Sequence, residues 1–180
     1  MKKVYLIHGT STRDDDWFPW LEKAAQPEFS VDRLWLPHPF NPDKEEWQQA
    51  IDEQIDPGDE VTLISHSLGG IAAIRYVERH RLKRANLLLV VAFDQPLPSY
   101  PQLDLFMEPQ PSYQQVTPKI GKATVITAKD DPIAPYQDAI KVAHNLNAKL
   151  IVQDHGGHFL SSDGYTKFPL VLKELQRISL

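Results

Sequence analysis

The sequence predicts an α/β protein, a doubly wound and mostly parallel sheet of about six strands with helices on both faces. Three observations carry that expectation. Short apolar runs recur along the 180 residues, several nearly continuous in Val, Ile and Leu, as strands covered on both faces require. Stretches with apolar residues at helical spacing lie between them, so β and α units alternate strictly. One of these junctions is abrupt: the apolar run 61–64 stops at Ser65-His66-Ser67-Leu68-Gly69-Gly70, and Ile71, Ala72, Ile74 and Val77 follow at helical spacing.

In chain order, the expected strands are 3–8, 31–35, 60–65, 86–91, 123–128 and 149–153. The expected helices are about 17–26, 43–55, 68–80, 136–147 and 164–178. Pro42-Asp43 and Pro57-Gly58 bracket the second helix as start and stop signals. No internal repeat, linker or low-complexity stretch interrupts this order, so one domain over 1–180 is expected. Fifteen prolines gather mainly in loops, especially 37–42 and 96–118, where they stiffen connections.

Composition narrows the function. With 42% hydrophobic and 24% charged residues, the chain has the balance of a soluble domain with a full core. A net charge of −5 argues against a nucleic-acid or anionic-membrane partner. No cysteine is present, so neither disulfides nor thiolate chemistry contribute. The apolar run Val4 to Ile7 is too short for a signal-peptide core, and no later run spans a bilayer. A cytoplasmic protein, monomeric or a small homo-oligomer, is the expectation.

The junction at Ser67 is the setting in which a serine becomes a nucleophile. A sharp turn between strand and helix lifts the Ser67 hydroxyl above the sheet and aims the following amide, that of Leu68, at whatever the serine attacks. The helix start adds partial positive charge there. Such an elbow needs small residues two positions either side, here Ser65 and Gly69; glycine is usual at both, so Ser65 departs from the pattern. The plainer alternative is an ordinary strand-to-helix turn with Ser67 as its N-cap.

Ligand sites in such sheets lie beyond the carboxyl ends of the strands. The residues found there are His8-Gly9-Thr10-Ser11, His66-Ser67, Ala92-Phe93-Asp94-Gln95, Lys129-Asp130-Asp131-Pro132 and Asp154-His155-Gly156-Gly157-His158-Phe159. A serine, then an acid, then a histidine along one sheet edge is the chain order of the α/β-hydrolase triad.

With these residues the chain resembles the α/β-hydrolase superfamily and, within it, the small cap-less serine hydrolases grouped with retinoblastoma-binding protein nine and its bacterial relatives. The resemblance spans nearly the whole length. It rests on Tyr5-Leu6-Ile7-His8-Gly9, Trp17-Phe18-Pro19-Trp20-Leu21, His66-Ser67-Leu68-Gly69, Lys129-Asp130-Asp131-Pro132 and His155-Gly156-Gly157-His158-Phe159-Leu160. It implies a minimal α/β-hydrolase fold, a nucleophile at Ser67, an acid at Asp131 and a base at His158. It also implies that the Thr10 N–H, after His8-Gly9, joins the Leu68 N–H in an oxyanion hole.

Physical chemistry supports the same roles. A serine hydroxyl is a poor nucleophile until a base takes its proton, and histidine is poised for that near neutral pH. The acid orients the imidazole and stabilises the imidazolium. Asp131 is favoured over Asp130 because Pro132 biases it to extended backbone and Pro135 completes an Asp-x-x-x-Pro frame. His158 is favoured over His155 because Gly156-Gly157 lets its loop return over the sheet. A His155–His158 metal pair lacks a third ligand at suitable spacing, so neither metal nor cofactor is expected. Gly9-Thr10-Ser11-Thr12 lacks both the P-loop lysine and the dinucleotide glycine pattern.

For the pocket, Trp17, Phe93, Phe106 and Met107 are the candidates. Trp17 is balanced between pocket wall and core, and Trp20 belongs to the core. Residues 93–118 stand where larger hydrolases insert a helical cap and are expected to form a rim over Ser67 with one short turn. Asp14-Asp15-Asp16 reads as a solvated run that starts a helix. The expected activity is hydrolysis of a small carboxylic ester, with a thioester or amide as variants. The competing class is a hydrolase-fold protein that has fallen silent, through Ser65 or the 93–118 loop, and serves to bind a protein partner.

Overall fold

In a computed structural model covering residues 1–180, six strands form one parallel sheet in the order β2-β1-β3-β4-β5-β6. The strands are β1 (Lys2–Ile7), β2 (Phe29–Arg33), β3 (Glu60–His66), β4 (Arg84–Val90), β5 (Ile120–Ala128) and β6 (Lys149–Gln153). The longer helices are α1 (Phe18–Ala24), α2 (Lys44–Gln54), α3 (Gly69–Arg79), α6 (Tyr136–Leu146) and α7 (Pro169–Ile178). The order reverses at β1, and the chain places helices on both faces, as the alternation of β and α units requires.

The period-two alternation of strand side chains divides the interior into two cores. Tyr5 and Ile7, Leu63, Leu87 and Leu89, and Val125 face one side, where α2, α3 and α6 cover them with Trp47, Ile51, Ile71, Ile74 and Val142. Val4 and Leu6, Ile64, Leu88 and Val90, and Ile126 face the other, under Phe18 and Leu21 of α1 and Val171, Leu175 and Ile178 of α7. Every one of these side chains is buried. A fully buried Leu or Ile contributes about 1.5–3 kcal/mol over an exposed one, so the central strands anchor the fold.

Element ends depart from expectation for identifiable reasons. β2 begins at Phe29 rather than residue 31, because Phe29 pairs with Lys2 and its side chain fills the second core. The last helix starts at Pro169, and residues 161–163 form a separate 3-10 turn ended by Gly164 at φ 94°. Proline at a helix start has its φ pre-set and no donor to waste. Residues 93–118 hold more local structure than one turn: 3-10 turns at Pro101–Leu103 and Thr117–Lys119, and one-turn helices α4 (Asp104–Met107) and α5 (Tyr113–Val116). No helix is long and apolar enough to cross a membrane.

Candidate active site

The β3–α3 junction is a strained elbow. Ser67 has φ 55°, a left-handed conformation that a serine keeps only where its surroundings hold it. Its N–H donates to the Val90 carbonyl at 2.9 Å, and its own carbonyl accepts from Gly70 N–H at 2.9 Å. Gly69 is demanded by close approach, since a Cβ there would stand 2.3 Å from the Ile7 carbonyl oxygen and 2.6 Å from that of His8. Ser65 is accommodated, fully buried, although its Oγ finds no hydrogen-bond partner.

Ser67 caps no helix. Leu68 occupies that position without a side-chain cap, and the Ser67 hydroxyl lies 2.8 Å from His158 Nε2. His158 Nδ1 lies 2.8 Å from Asp131 Oδ2. A carboxylate only accepts, so Nδ1 carries the proton and Nε2 is free to accept from the Ser67 hydroxyl. Ser67 is 7% and His158 3% exposed, and the Asp131 side chain is fully covered. The other Asp131 oxygen accepts from the N–H groups of Ile133 at 2.8 Å and Ala134 at 3.1 Å. Residues from three strand ends, 91 positions apart at the extremes, thus form one hydrogen-bonded row.

Asp130, the less favoured acid, has a different part. Its Oδ1 accepts the Gly157 N–H at 2.8 Å, which holds its carboxyl below the usual range and ties the β5 and β6 loops together. Asp163, which no motif advertises, accepts the N–H groups of His158 at 3.0 Å and Leu160 at 3.1 Å. His155 points outward, its side chain 91% exposed and 3.5 Å from Asp130. No group of three or more His, Asp or Glu side chains is placed to hold a metal ion. Asp16 is not a solvated member of its run: it accepts the Ser161 N–H at 2.7 Å, and burial raises its pKa.

Thr10 and Leu68 both line the cavity beside Ser67. Neither the Leu68 nor the Thr10 N–H donates to any other group of the chain. Gly9 lets their loops meet, because a Cβ there would lie 3.0 Å from Ser67 Cβ and 3.2 Å from Leu68 N. His8 behind them is buried, which lowers its pKa, and its Nδ1 lies 2.8 Å from the Gly9 carbonyl.

A cavity of about 160 Å³ opens over this row, lined by Ser67, His66, Leu68, His158, Thr10 and Ser11. Its walls are Phe93, Leu97, Tyr100, Leu103, Ile133 and Leu160. Of the expected pocket residues only Phe93 lines it. Trp17 is fully buried in the second core, edge-on to Phe18 at 4.7 Å and Phe168 at 5.7 Å. Phe106 packs on Trp47 at 5.1 Å, and Met107 is fully buried beneath the rim. Packing explains the correction: Trp17 fills space in the second core and Phe106 and Met107 in the first, rather than facing the cleft. The remaining wall residues sit in aperiodic, proline-spaced stretches, where no pattern separates cleft from core.

Comparison with known proteins agrees with this architecture. Residues 4–177 match the serine hydrolase family. YdeN of Bacillus subtilis strain 168 is 33% identical over 175 residues, covering 94% of this chain and 92% of that one. The crystal structure of the B. subtilis ydeN gene product superposes with a TM-score of 0.93, covering 99% of this chain and 98% of the other. The serine hydrolase RBBP9 of Rattus norvegicus is 25% identical over 168 residues, 89% of each chain. At 13% identity, mouse alpha/beta hydrolase domain-containing protein 10 shares the fold alone, with a TM-score of 0.76 over 98% of this chain and 88% of its own. With its parallel sheet and a family match from end to end, the chain belongs to the serine hydrolase family and is an α/β-fold hydrolase.

Proposed function

We propose that the enzyme hydrolyses a small carboxylic ester through an acyl-enzyme at Ser67. The observation that carries this is the pair of 2.8 Å bonds from Ser67 Oγ to His158 Nε2 and from His158 Nδ1 to Asp131. In acylation, Ser67 Oγ bonds to the substrate carbonyl carbon as its proton passes to His158 Nε2. Asp131 keeps the imidazole in the tautomer that accepts and stabilises the imidazolium. The tetrahedral oxyanion is held by the Leu68 and Thr10 N–H groups, which no other acceptor occupies. The carbon–oxygen bond to the alcohol then breaks, and His158 returns the proton to the departing alkoxide. Water, deprotonated by His158 in turn, attacks the acyl carbon; the bond from that carbon to Ser67 Oγ breaks as His158 returns the proton to Oγ, and the carboxylic acid leaves.

The substrate range follows from the cavity. About 160 Å³ walled by Leu97, Tyr100, Leu103 and Ile133 suits a short acyl group with its leaving group toward solvent. A thioester or amide of the same size meets the same groups. The test is steady-state hydrolysis of a series of p-nitrophenyl esters from acetate to decanoate. The proposal expects turnover falling with acyl length, and loss of turnover in folded Ser67→Ala and His158→Ala enzymes. Undiminished hydrolysis by purified Ser67→Ala would overturn it.

A further inference from the structure

Beside Ser67 stands an imidazole that the proposed reaction leaves unused. His66 is 2% exposed and sits edge-on to Trp17 and Phe18, at centroid distances of 6.1 and 5.6 Å. Its Nδ1 is buried with no hydrogen-bond partner. Its Nε2 lies 2.8 Å from the backbone carbonyl oxygen of His158. A carbonyl only accepts, so Nε2 carries the proton and the neutral ring is a donor. Burial first, and the neighbouring His158 second, push the His66 pKa down to about 3, so this neutral form persists across the neutral range.

We propose that His66 is a positioning residue whose Nε2–H clamps the His158 main chain at the distance from Ser67 that proton transfer requires. The inference deepens the acyl-enzyme reading and rests on it. His66 and Ser67 are consecutive, so a short closed path joins nucleophile and base. It runs from Ser67 through one peptide unit, the His66 ring and the His158 carbonyl to the His158 ring, and back across the 2.8 Å bond to Ser67 Oγ.

The loop that this clamp holds needs holding. Gly157 at φ 59° and Phe159 at φ 54° flank His158; the glycine takes this backbone freely, but a phenylalanine keeps it only where contacts over-determine it. Asp163 secures the His158 N–H and Asp130 the Gly157 N–H; His66 alone secures the His158 carbonyl from the elbow side. Neutrality matters too. A second cation whose ring centre lies 5.1 Å from that of His158 would oppose the imidazolium formed during attack.

The test compares His66→Phe, which keeps the ring without a donor, His66→Asn, whose amide is too short, and His66→Gln, whose Nε2 stands near the lost imidazole Nε2. Each is measured for kcat and KM on p-nitrophenyl acetate and for the downfield proton resonance of the His158 Nδ1–H···Asp131 bond. A displacement of about 1 Å costs about a hundredfold, so the Phe and Asn variants are expected to lose about that much kcat at near-constant KM. Their downfield resonance is expected to shift or broaden, while the Gln variant recovers both signals toward wild type. A Phe or Asn variant with wild-type kcat and resonance, or a Gln variant as impaired as Phe, overturns the clamp. The resonance reads the clamp even if the wild type turns over no ester, so failure of the acyl-enzyme reading is told apart from failure of the inference.

Discussion

The two halves of the site are held by different means. In the half that carries Ser67, His158 and Asp131, main-chain groups and short side chains bonded to them do the holding. Ser67 N–H meets the Val90 carbonyl, Asp131 accepts from two successive amides, and Gly69 packs directly onto the β1 backbone. In the rim of 93–119, the ends of long side chains do it. Arg75 donates to the Phe106 and Pro109 carbonyls at 2.6 and 3.0 Å, Lys44 to that of Glu108, and Lys119 to those of Val77, Glu78 and His80. Tyr113 donates to buried Asp94 at 2.6 Å. Main-chain contacts and short side chains have few rotatable bonds to absorb a displacement, whereas long Lys and Arg side chains have many. On the proposed reading, chemistry sits on the more tightly held half and substrate fit on the other.

That contrast can be broken most severely at Asp131. Asp131→Asn removes the acceptor that fixes the His158 tautomer and is expected to cost about 10⁴ in kcat. Asp130→Asn keeps an oxygen for the Gly157 N–H and is expected to cost far less. Parallel kinetics of the two variants check the ranking, and the reverse order would move the acid by one residue. Next comes Gly69→Ala. Its Cβ would enter the Ile7 and His8 carbonyls at 2.3 and 2.6 Å, so strands or elbow must shift. A loss of several kcal/mol is expected, read as a lower urea midpoint, together with loss of turnover.

Acid sharpens the same half of the comparison. His66 takes up a proton near pH 6.5 when unfolded and only near about 3 when folded. Between those values the unfolded chain binds more protons, so stability is full above pH 6.5 and falls as pH drops toward 3. The loss amounts to about 2 kcal/mol between pH 6.5 and 5. Urea midpoints at the two pH values measure it, and His66→Gln is expected to flatten the slope. His8, also depressed by burial, acts in the same direction and supplies the residual slope.

The rim gives the smallest effect. Leu103→Ala enlarges the cavity wall and is expected to favour longer acyl chains by about tenfold in kcat/KM. Stability is expected to fall as well, by about 2 kcal/mol, because Leu103 is buried in the first core at 7% exposure. An unchanged chain-length profile would place the acyl group elsewhere.

The same contrast explains what was legible in the sequence. Strands β1, β3, β4 and β5 announce themselves through short stretches rich in Val, Ile and Leu, because burial on both faces favours apolar side chains. Ser67, Asp131 and His158 are readable because each stands at a strand end beside residues with strict backbone demands: Gly69, Pro132 and Gly157. Thr10 is placed only through the resemblance, since an amide has no signature of its own. The rim is different. All five of Leu97, Tyr100, Leu103, Phe106 and Met107 pack on the first core, and only the first three also line the cavity, yet no periodicity distinguishes them between prolines. Trp17 looks like a pocket wall by position and is a core residue by packing. The part of His66 was invisible for another reason: its partner is a carbonyl 92 residues away, and carbonyls belong to every residue.

The central claim is that Ser67, His158 and Asp131 act as one unit that acylates Ser67. Mass spectrometry of the protein after reaction with a fluorophosphonate, followed by peptide mapping, tests it most directly. The account predicts one adduct, on Ser67, formed far more slowly in His158→Ala and Asp131→Asn. An adduct on another residue, or no adduct while ester turnover persists, would contradict it.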